Sequence, residues 1–515
     1  MTKKVLIYDT TLRDGTQGHG VTFSVADKIQ ITKQLASFGM DYIEGGWPGS
    51  NQKDQEFFSA AKHLNLGNTK LVAFGSTRKN GVKASDDKQV LALIEAETPA
   101  VAIFGKSWLL HVEEVLKVSR QENLEMITDT VETLKSFGRE VIYDAEHFFD
   151  GYKANSDYAT STLVAATNAD YIVLCDTNGG TMPDEIKAIT AKMVLLFGNK
   201  IGIHTHNDCG LATANAIAAI NAGATQVQGT MNGYGERVGN CNLTTLIPTL
   251  QLKLNIKTGQ HTEDIRILSR FIDETANIQP DIRAPFVGDT AFAHKGGMHV
   301  NAVKKVAKSY EHVDPSLVGN QSGLLVSELS GRSNITWKAE QLGFKLTKEQ
   351  TVALLNTIKS RESEGYEYEA ADASVALLIQ KTLDQHTPLF TLKEYHCSFR
   401  CCADNQNCEA TVKLIVNNRP EYTVAEGDGP VNALDAALRK ALRPFYPWVD
   451  EVTLTDYKVR IVDAHLGTAA RTRVIIESTN GRESWNTVGS SFNIIEASWA
   501  ALVDSLEYYG TRYTK

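Results

Sequence analysis

What this chain lacks narrows its chemistry before any motif is read. It has no Cys-x-x-Cys pair, and its 7 cysteines are an odd number scattered over 515 residues. Neither a disulfide framework nor a zinc ribbon is built that way. It has no excess of positive charge: 52 Lys and Arg stand against 61 Asp and Glu, a formal net charge of −9. A general grip on nucleic acid is therefore not expected, although a local basic patch remains compatible with a phosphorylated ligand. No apolar run has the length that spans a bilayer. The stretch after Met1 passes straight into a short strand, Val5–Tyr8, too brief for a secretory signal. The expectations are no membrane, no nucleic-acid partner and a reducing, cytoplasmic setting.

What is present is a long, ordinary globular composition. With 42% apolar and 22% charged residues over 515 positions, two or three domains are expected. From Val5 to about Lys253 a unit recurs: a short apolar strand, a polar or glycine turn, then an amphipathic helix. The strand candidates are Val5–Tyr8, Tyr42–Glu44, Leu71–Phe74, Val101–Phe104, Val141–Tyr143, Tyr171–Leu174, Ile201–Ile203 and Thr225–Gln228. The first helix carries its own punctuation. Ser24 is a candidate N-cap with Asp27 three residues on, and Gly39 can stop it.

Alternating β and α units imply a parallel sheet. Eight of them imply a closed (β/α)8 TIM barrel with its chemistry at the C-terminal strand ends. An open doubly wound sheet uses the same local grammar. The barrel is preferred because polar clusters recur at one strand end after another, as convergence on one mouth requires. The expected domains are a barrel over residues 1–265, a mainly helical linker region over 266–385 and a C-terminal α+β domain over 386–515. In the last, Ala410–Val416 and Arg473–Glu477 read as strands, and Val431–Leu442 and Ile494–Tyr508 as helices.

The densest chemistry lies in His204-Thr205-His206-Asn207-Asp208, which follows the strand Ile201–Ile203. Alternation along a strand puts His204 and His206 on one face. A His-x-His pair alone is also what two unrelated polar residues look like. The barrel adds Asp14 after strand one, in Asp9–Gln17, and Asn240 after strand eight, ending Gly235–Asn240. One carboxylate, two imidazoles and one amide oxygen suit Mg²⁺ or Mn²⁺, with Zn²⁺ compatible. An open site of this kind acts as a Lewis acid on a carbonyl.

Other candidates surround that set. Arg13, beside Asp14, can stabilise enolate or alkoxide charge, or can form an ordinary ion pair. Thr177, in Cys175–Gly180, can donate to a substrate carboxylate or cap a helix. Asp144 and Glu146 share a face of strand five and can do acid–base work or simply meet solvent. Glu44 after strand two is a supporting group. Gly296-Gly297-Met298-His299 suggests a loop that delivers a titratable group, or a capping histidine.

Asp9–Gln17, the His-x-His-Asn-Asp pentad and Gly-Glu-Arg-x-Gly-Asn together resemble the alpha-isopropylmalate synthase and homocitrate synthase family, over nearly the whole chain. Ile43–Ser50, Leu325–Asn334 and Val488–Tyr509 resemble the branch of that family whose 2-oxoacid is pyruvate. Glu426–Ala433 resembles its C-terminal regulatory and dimerisation domain. The resemblance implies a metal-dependent acyltransferase that condenses pyruvate with acetyl-CoA, a homodimer, and an isoleucine effector bound beyond about residue 390. It implies Asp14, His204, His206 and Asn240 as ligands, and Arg13 as the group that steadies the enolate. It implies Thr177, with Asp144 and Glu44, at the substrate, and Glu146, His299 and Tyr310 in the catalytic set. His19 and Val238 depart from the family pattern, and neither is a candidate ligand. The same residues also fit a synthase of longer 2-oxoacids such as 2-oxoisovalerate, a metal-dependent aldolase or lyase, or an amino-acid-binding regulator on an inactive barrel.

Overall fold

The computed structural model describes residues 4–294, 310–324, 332–368, 371–402, 405–462 and 464–513. Two compact units emerge, Met1–Phe292 with Val313–Gln321, and Ala293–His312 with Ser322–Lys515.

The first unit is built on eight parallel strands: β1 (Leu6–Asp9), β2 (Tyr42–Gly46), β3 (Lys70–Ser76), β4 (Ala100–Lys106), β5 (Glu140–Glu146), β6 (Tyr171–Asp176), β7 (Ile201–Thr205) and β8 (Gln226–Gly229). β1 pairs with β2 on one side and with β8 on the other, Leu6 to Asp9 running opposite Gln226 to Gly229. That pairing closes the barrel and excludes the open sheet. Each strand is followed by a helix that covers it, so the strands are buried on both faces and read as short continuous apolar runs.

Local signals explain the first helix, Val25–Phe38. Ser24 Oγ accepts from the Asp27 backbone N–H while Asp27 accepts from the Ser24 N–H, and Gly39 ends the helix at φ 93°. The strands run further than their apolar cores suggest. β5 continues past Tyr143 to Glu146, because its backbone goes on pairing with β4 as far as Lys106 opposite Glu146. Polarity there reflects the barrel interior turning hydrophilic at its mouth, not the end of the strand.

Period-two alternation sorts the strand residues. Tyr8, Tyr42, Val72, Phe74, Ala100, Ala102, Ile142, Val173 and Cys175 pack together as the filling of the barrel, while the intervening residues meet the helices. The positions two further along several strands are polar: Glu44, Asp144, Glu146 and His204. The candidate site is thus the upper layer of the barrel filling.

The second unit contains two antiparallel sheets, each with a helix. β9 (Thr391–Cys402), β10 (Asn405–Val416) and β11 (Arg419–Gly427) are followed by the helix Pro430–Leu442. β12 (Thr453–Ile461), β13 (Thr472–Thr479) and β14 (Ser484–Ser491) are followed by Ile494–Tyr513. Ala433, Leu434, Ala437, Leu438, Ala441 and Leu442 make one buried helix face that meets Ala410, Val412 and Leu414 on alternating positions of β10. Helices Lys348–Ser363 and Asp372–Thr382 precede these sheets. This is the helical region and α+β architecture expected from the sequence. No helix of the described residues is long and apolar enough to cross a membrane.

Candidate metal centre

The loop after β1 and the C-terminal end of β7 bring three ligand-type side chains together. Donor atoms of Asp14, His204 and His206, all buried, lie within 4.8 Å of one another. The two Nε2 atoms face each other at 3.1 Å, and His204 Nε2 is 3.3 Å from Asp14 Oδ2. Asn240 completes the group: its Nδ2 is 2.6 Å from Asp14 Oδ2 and 3.4 Å from His204 Nε2. Its Oδ1 is buried without a hydrogen-bond partner among the described residues. A side-chain amide reads nearly the same either way round, so its orientation is set by the partners around it. Turned over, Asn240 presents an oxygen to the cluster. Buried lone pairs converging on one point fit a divalent cation of mixed oxygen and nitrogen preference.

The charge state of the cluster agrees. Burial alone would raise the Asp14 carboxyl, but the Arg13 guanidinium and the two imidazoles hold it down at about 2. Burial and the neighbouring His204 push His206 down to about 3, which keeps its imidazole neutral and able to ligate.

The pentad is organised residue by residue. His204 and His206 point inward. Thr205 donates from Oγ1 to the carbonyl of Ala212, and Asn207 Oδ1 accepts from the Ala212 N–H, tying the strand end to helix Ala212–Ala222. Asp208 takes Arg237 through two contacts of 2.6 and 2.9 Å, and Arg237 also donates to the carbonyl of Thr177. Thus Gly-Glu-Arg-x-Gly-Asn is clamped onto the pentad, and His206 forms a backbone bridge with Asn240. Gly235 is required in this loop. At φ 154° a Cβ there would stand 2.1 Å from Asn240 Oδ1.

Beside the cluster opens a pocket of about 200 Å³ lined by Arg13, Asp14, Gln17, Trp47, Phe74, Phe104, Asp144, Glu146, Cys175, Thr177, His204, His206 and Glu236. Arg13 is fixed on three sides. Its Nε donates to Glu44 Oε1 at 2.5 Å, its Nη1 is 3.3 Å from Asp14 Oδ1, and its guanidinium carbon lies 3.8 Å from the centre of the Phe74 ring. Glu44 is fully buried under Arg13, accepts from the Tyr8 hydroxyl at 2.5 Å and does not line the pocket. Trp47, Phe74 and Phe104 form one aromatic wall, with ring centres 5.6 to 5.7 Å apart. Thr177 Oγ1 accepts from the His147 N–H at 2.9 Å, which leaves its own proton to be directed elsewhere. Burial, reinforced by Glu44, raises the Asp144 carboxyl well above the usual range. Glu146 is ion-paired to Lys106.

Most of the residues singled out from sequence therefore meet at one mouth. Tyr310 belongs to the second unit and is exposed. His299 and the stretch Leu325–Gly331 lie outside the described residues. His19 and Val238 are exposed. Sequence reasoning missed Lys106, Gln228 and the paired rings of Phe74 and Phe104. Each is an inward position of a strand, and that parity was the available signal.

Three family models match the chain: "HMGL-like" over residues 4–272, "Homocitrate synthase post-HMGL domain-like" over 286–365, and "LeuA allosteric (dimerisation) domain" over 369–510. A curated relative described as (R)-citramalate synthase, from Aquifex aeolicus (strain VF5), is 51% identical over 99% of this chain and 98% of its own. Another of the same description, from Synechocystis sp. (strain ATCC 27184 / PCC 6803 / Kazusa), is 49% identical over 98% of this chain and 95% of its own. A 2-isopropylmalate synthase of Carboxydothermus hydrogenoformans (strain ATCC BAA-161 / DSM 6008 / Z-2901) is 30% identical over 98% of this chain and 97% of its own.

Proposed function

We infer that this chain, which belongs to the HMGL-like family and, within it, to the (R)-citramalate synthases, condenses pyruvate with acetyl-CoA and water to give (R)-citramalate and CoA. The observation that carries the choice of pyruvate is the near-full-length similarity to the (R)-citramalate synthases, at 51% and 49% identity against 30% for the 2-isopropylmalate synthase. The aromatic wall supports it. Trp47, Phe74 and Phe104 line the pocket with bulky rings, which favours a short 2-oxoacid side chain such as the methyl group of pyruvate.

Asp14, His204, His206 and Asn240 are proposed to hold a divalent cation, Mg²⁺ or Mn²⁺ by their mixed donors, with Zn²⁺ compatible. Such a cation, when bound, polarises a ketone and offsets oxyanion charge. The chain's own residues then divide the remaining work. Thr177 donates its hydroxyl proton to the pyruvate carboxylate. The guanidinium of Arg13, held from turning by Glu44, Asp14 and the Phe74 ring, stands ready for the developing enolate and alkoxide charge. Proton removal from the acetyl methyl is assigned to His299, supported by Glu146, with Tyr310 in the same set. The methyl carbon is a weak acid, so base and oxyanion stabilisation must act together. The new carbon–carbon bond joins that methyl carbon to the pyruvate ketone carbon. Water then cleaves the thioester, releasing CoA and leaving the second carboxylate of citramalate, and this hydrolysis makes the sequence irreversible.

The match of residues 369–510 to an allosteric dimerisation domain supports a regulated homodimer, and we propose isoleucine as its effector. Free thiols at Cys175 and Cys241 support work in the reducing cytoplasm. Thiol release from acetyl-CoA, measured against a panel of 2-oxoacids with and without a chelator, tests the proposal. Pyruvate should give the highest kcat/KM, and chelation should abolish it. Preference for 2-oxoisovalerate would defeat the pyruvate assignment, and no release with any 2-oxoacid would defeat the synthase.

A further inference from the structure

The far side of His204 carries a second contact that the reaction above does not use. His204 Nδ1 lies 2.9 Å from Gln228 Oε1, and Gln228 Nε2 donates to Asp144 Oδ1, also at 2.9 Å. All three side chains are buried. His204 and Gln228 stand at the same register of β7 and β8, whereas Asp144 reaches across the barrel interior from β5.

A neutral imidazole carries one proton, and the neighbours of its two nitrogens decide which one holds it. Towards the cluster, His204 Nε2 meets the Nε2 of His206 and a carboxylate oxygen of Asp14. A cation is bound there only if that nitrogen presents its lone pair. On the other side stands an amide, which offers either an oxygen or an NH₂ group. Asp144 breaks the tie. Its oxygen accepts from the amide NH₂, which turns the amide oxygen towards His204 and requires the imidazole proton on Nδ1. The reversed amide would aim its NH₂ at Nδ1 and its oxygen at the Asp144 oxygen. The imidazole proton would then sit on Nε2, between the two histidines and in the cation's place.

We propose that Asp144 and Gln228 are positioning residues that lock His204 in its Nδ1–H tautomer and so prepare the metal centre. This rests on the reading of Asp14, His204, His206 and Asn240 as a cation site. Asp144 also lines the pocket, so the same chain of two hydrogen bonds joins the pocket wall to a ligand. Outer partners of ligating histidines commonly tune metal affinity by roughly 10–100-fold.

The test is Mn²⁺ binding by the full-length protein, measured by titration calorimetry without substrate. Gln228→Leu, which removes the acceptor, should weaken binding by roughly 10–100-fold. Gln228→Glu keeps an acceptor for Nδ1–H but sets a carboxylate against Asp144, and should also weaken it. Adding Asp144→Asn to Gln228→Glu should restore affinity, because the introduced amide donates to the introduced carboxylate and the hydrogen bond between the two positions is made again in the opposite direction. Asp144→Asn alone offers Gln228 both a donor and an acceptor, so the amide is no longer held one way and Mn²⁺ binding should weaken; wild-type affinity there would remove Asp144 from the positioning role. Wild-type affinity in Gln228→Leu, or no recovery in the double variant, overturns the proposal. If thermal melting shows Gln228→Leu unfolded, the charge-swap pair alone decides. Asp14→Ala separates the two readings: unchanged Mn²⁺ binding there removes the metal site itself, whereas lost binding there with an insensitive Gln228 removes only the relay.

Discussion

Lys106 and Glu146 stand opposite each other in the register of β4 and β5 and form an ion pair at the rim of the barrel interior. Lys106 also lies 5.3 Å from the centre of the Phe104 ring, so the ammonium is held by both a carboxylate and an aromatic face. The pair aims Glu146 into the pocket. Glu146→Gln is expected to lower kcat by roughly 10²–10⁴-fold, the usual range for a positioned acid–base group. Lys106→Arg should retain more activity than Lys106→Met. The measurement is exchange of acetyl-CoA methyl protons with D₂O alongside thiol release, and wild-type exchange in Glu146→Gln would remove it from the proton transfer.

Asp14→Asn and His206→Ala are expected to abolish thiol release while leaving thermal unfolding cooperative. Activity at saturating Mn²⁺ decides the matter, since near-normal turnover in both variants is incompatible with their roles as ligands.

The aromatic wall is expected to limit substrate length. Replacing Phe104 by Val opens the side of the pocket next to Phe74 and Trp47. One methylene in an apolar pocket is worth about 1–3 kcal/mol, so the kcat/KM ratio of 2-oxobutanoate to pyruvate should rise roughly 10-fold or more. An unchanged ratio would place the selecting surface elsewhere.

Asp9, fully buried at the end of β1, is pushed up to about 7 by burial, against the hydrogen bonds it accepts from Thr11. Its folded-state value lies above its unfolded one, so the native state binds the proton more tightly. Its contribution to stability is therefore intact below about pH 4, shrinks as pH rises towards 7 and stays lost above it. Asp9→Asn does not titrate. Between pH 4 and pH 8 its unfolding free energy should gain on the wild type by on the order of 3 kcal/mol. Parallel denaturant titrations at the two pH values measure this, and a constant difference would contradict it.

Isoleucine should inhibit thiol release by the full chain and not by a chain ending near residue 386, compared at equal pyruvate. Inhibition that survives the truncation would move the effector site out of the region matched to the allosteric domain.

Much of this architecture was legible because the signals are local. Short apolar runs mark the strands, Ser24 with Asp27 marks a helix start, and alternation alone puts His204 and His206 on one face. The strand ends were harder. β5 runs three residues beyond Tyr143 because β4 still pairs with it, and a pairing partner leaves no mark on the strand's own composition. Glu44 shows the same limit. Its place after strand two marked it as a supporting group, but only closure of the barrel shows what it supports, the Tyr8 hydroxyl and the Arg13 guanidinium.

The amino-acid sequence by itself determined the eight alternating β and α units and the same-face pair of histidines, because each follows from a spacing along one segment, and it offered Asp14 and Asn240 as further ligand candidates. Only the tertiary structure decided what those residues face. Lys106 meets Glu146 across 40 residues, Gln228 meets Asp144 across 84, and Asn240 meets Asp14 across 226. The reason is physical. Alternation fixes which side of a strand a residue occupies, whereas its partner across the interior depends on the register and closure of all eight strands.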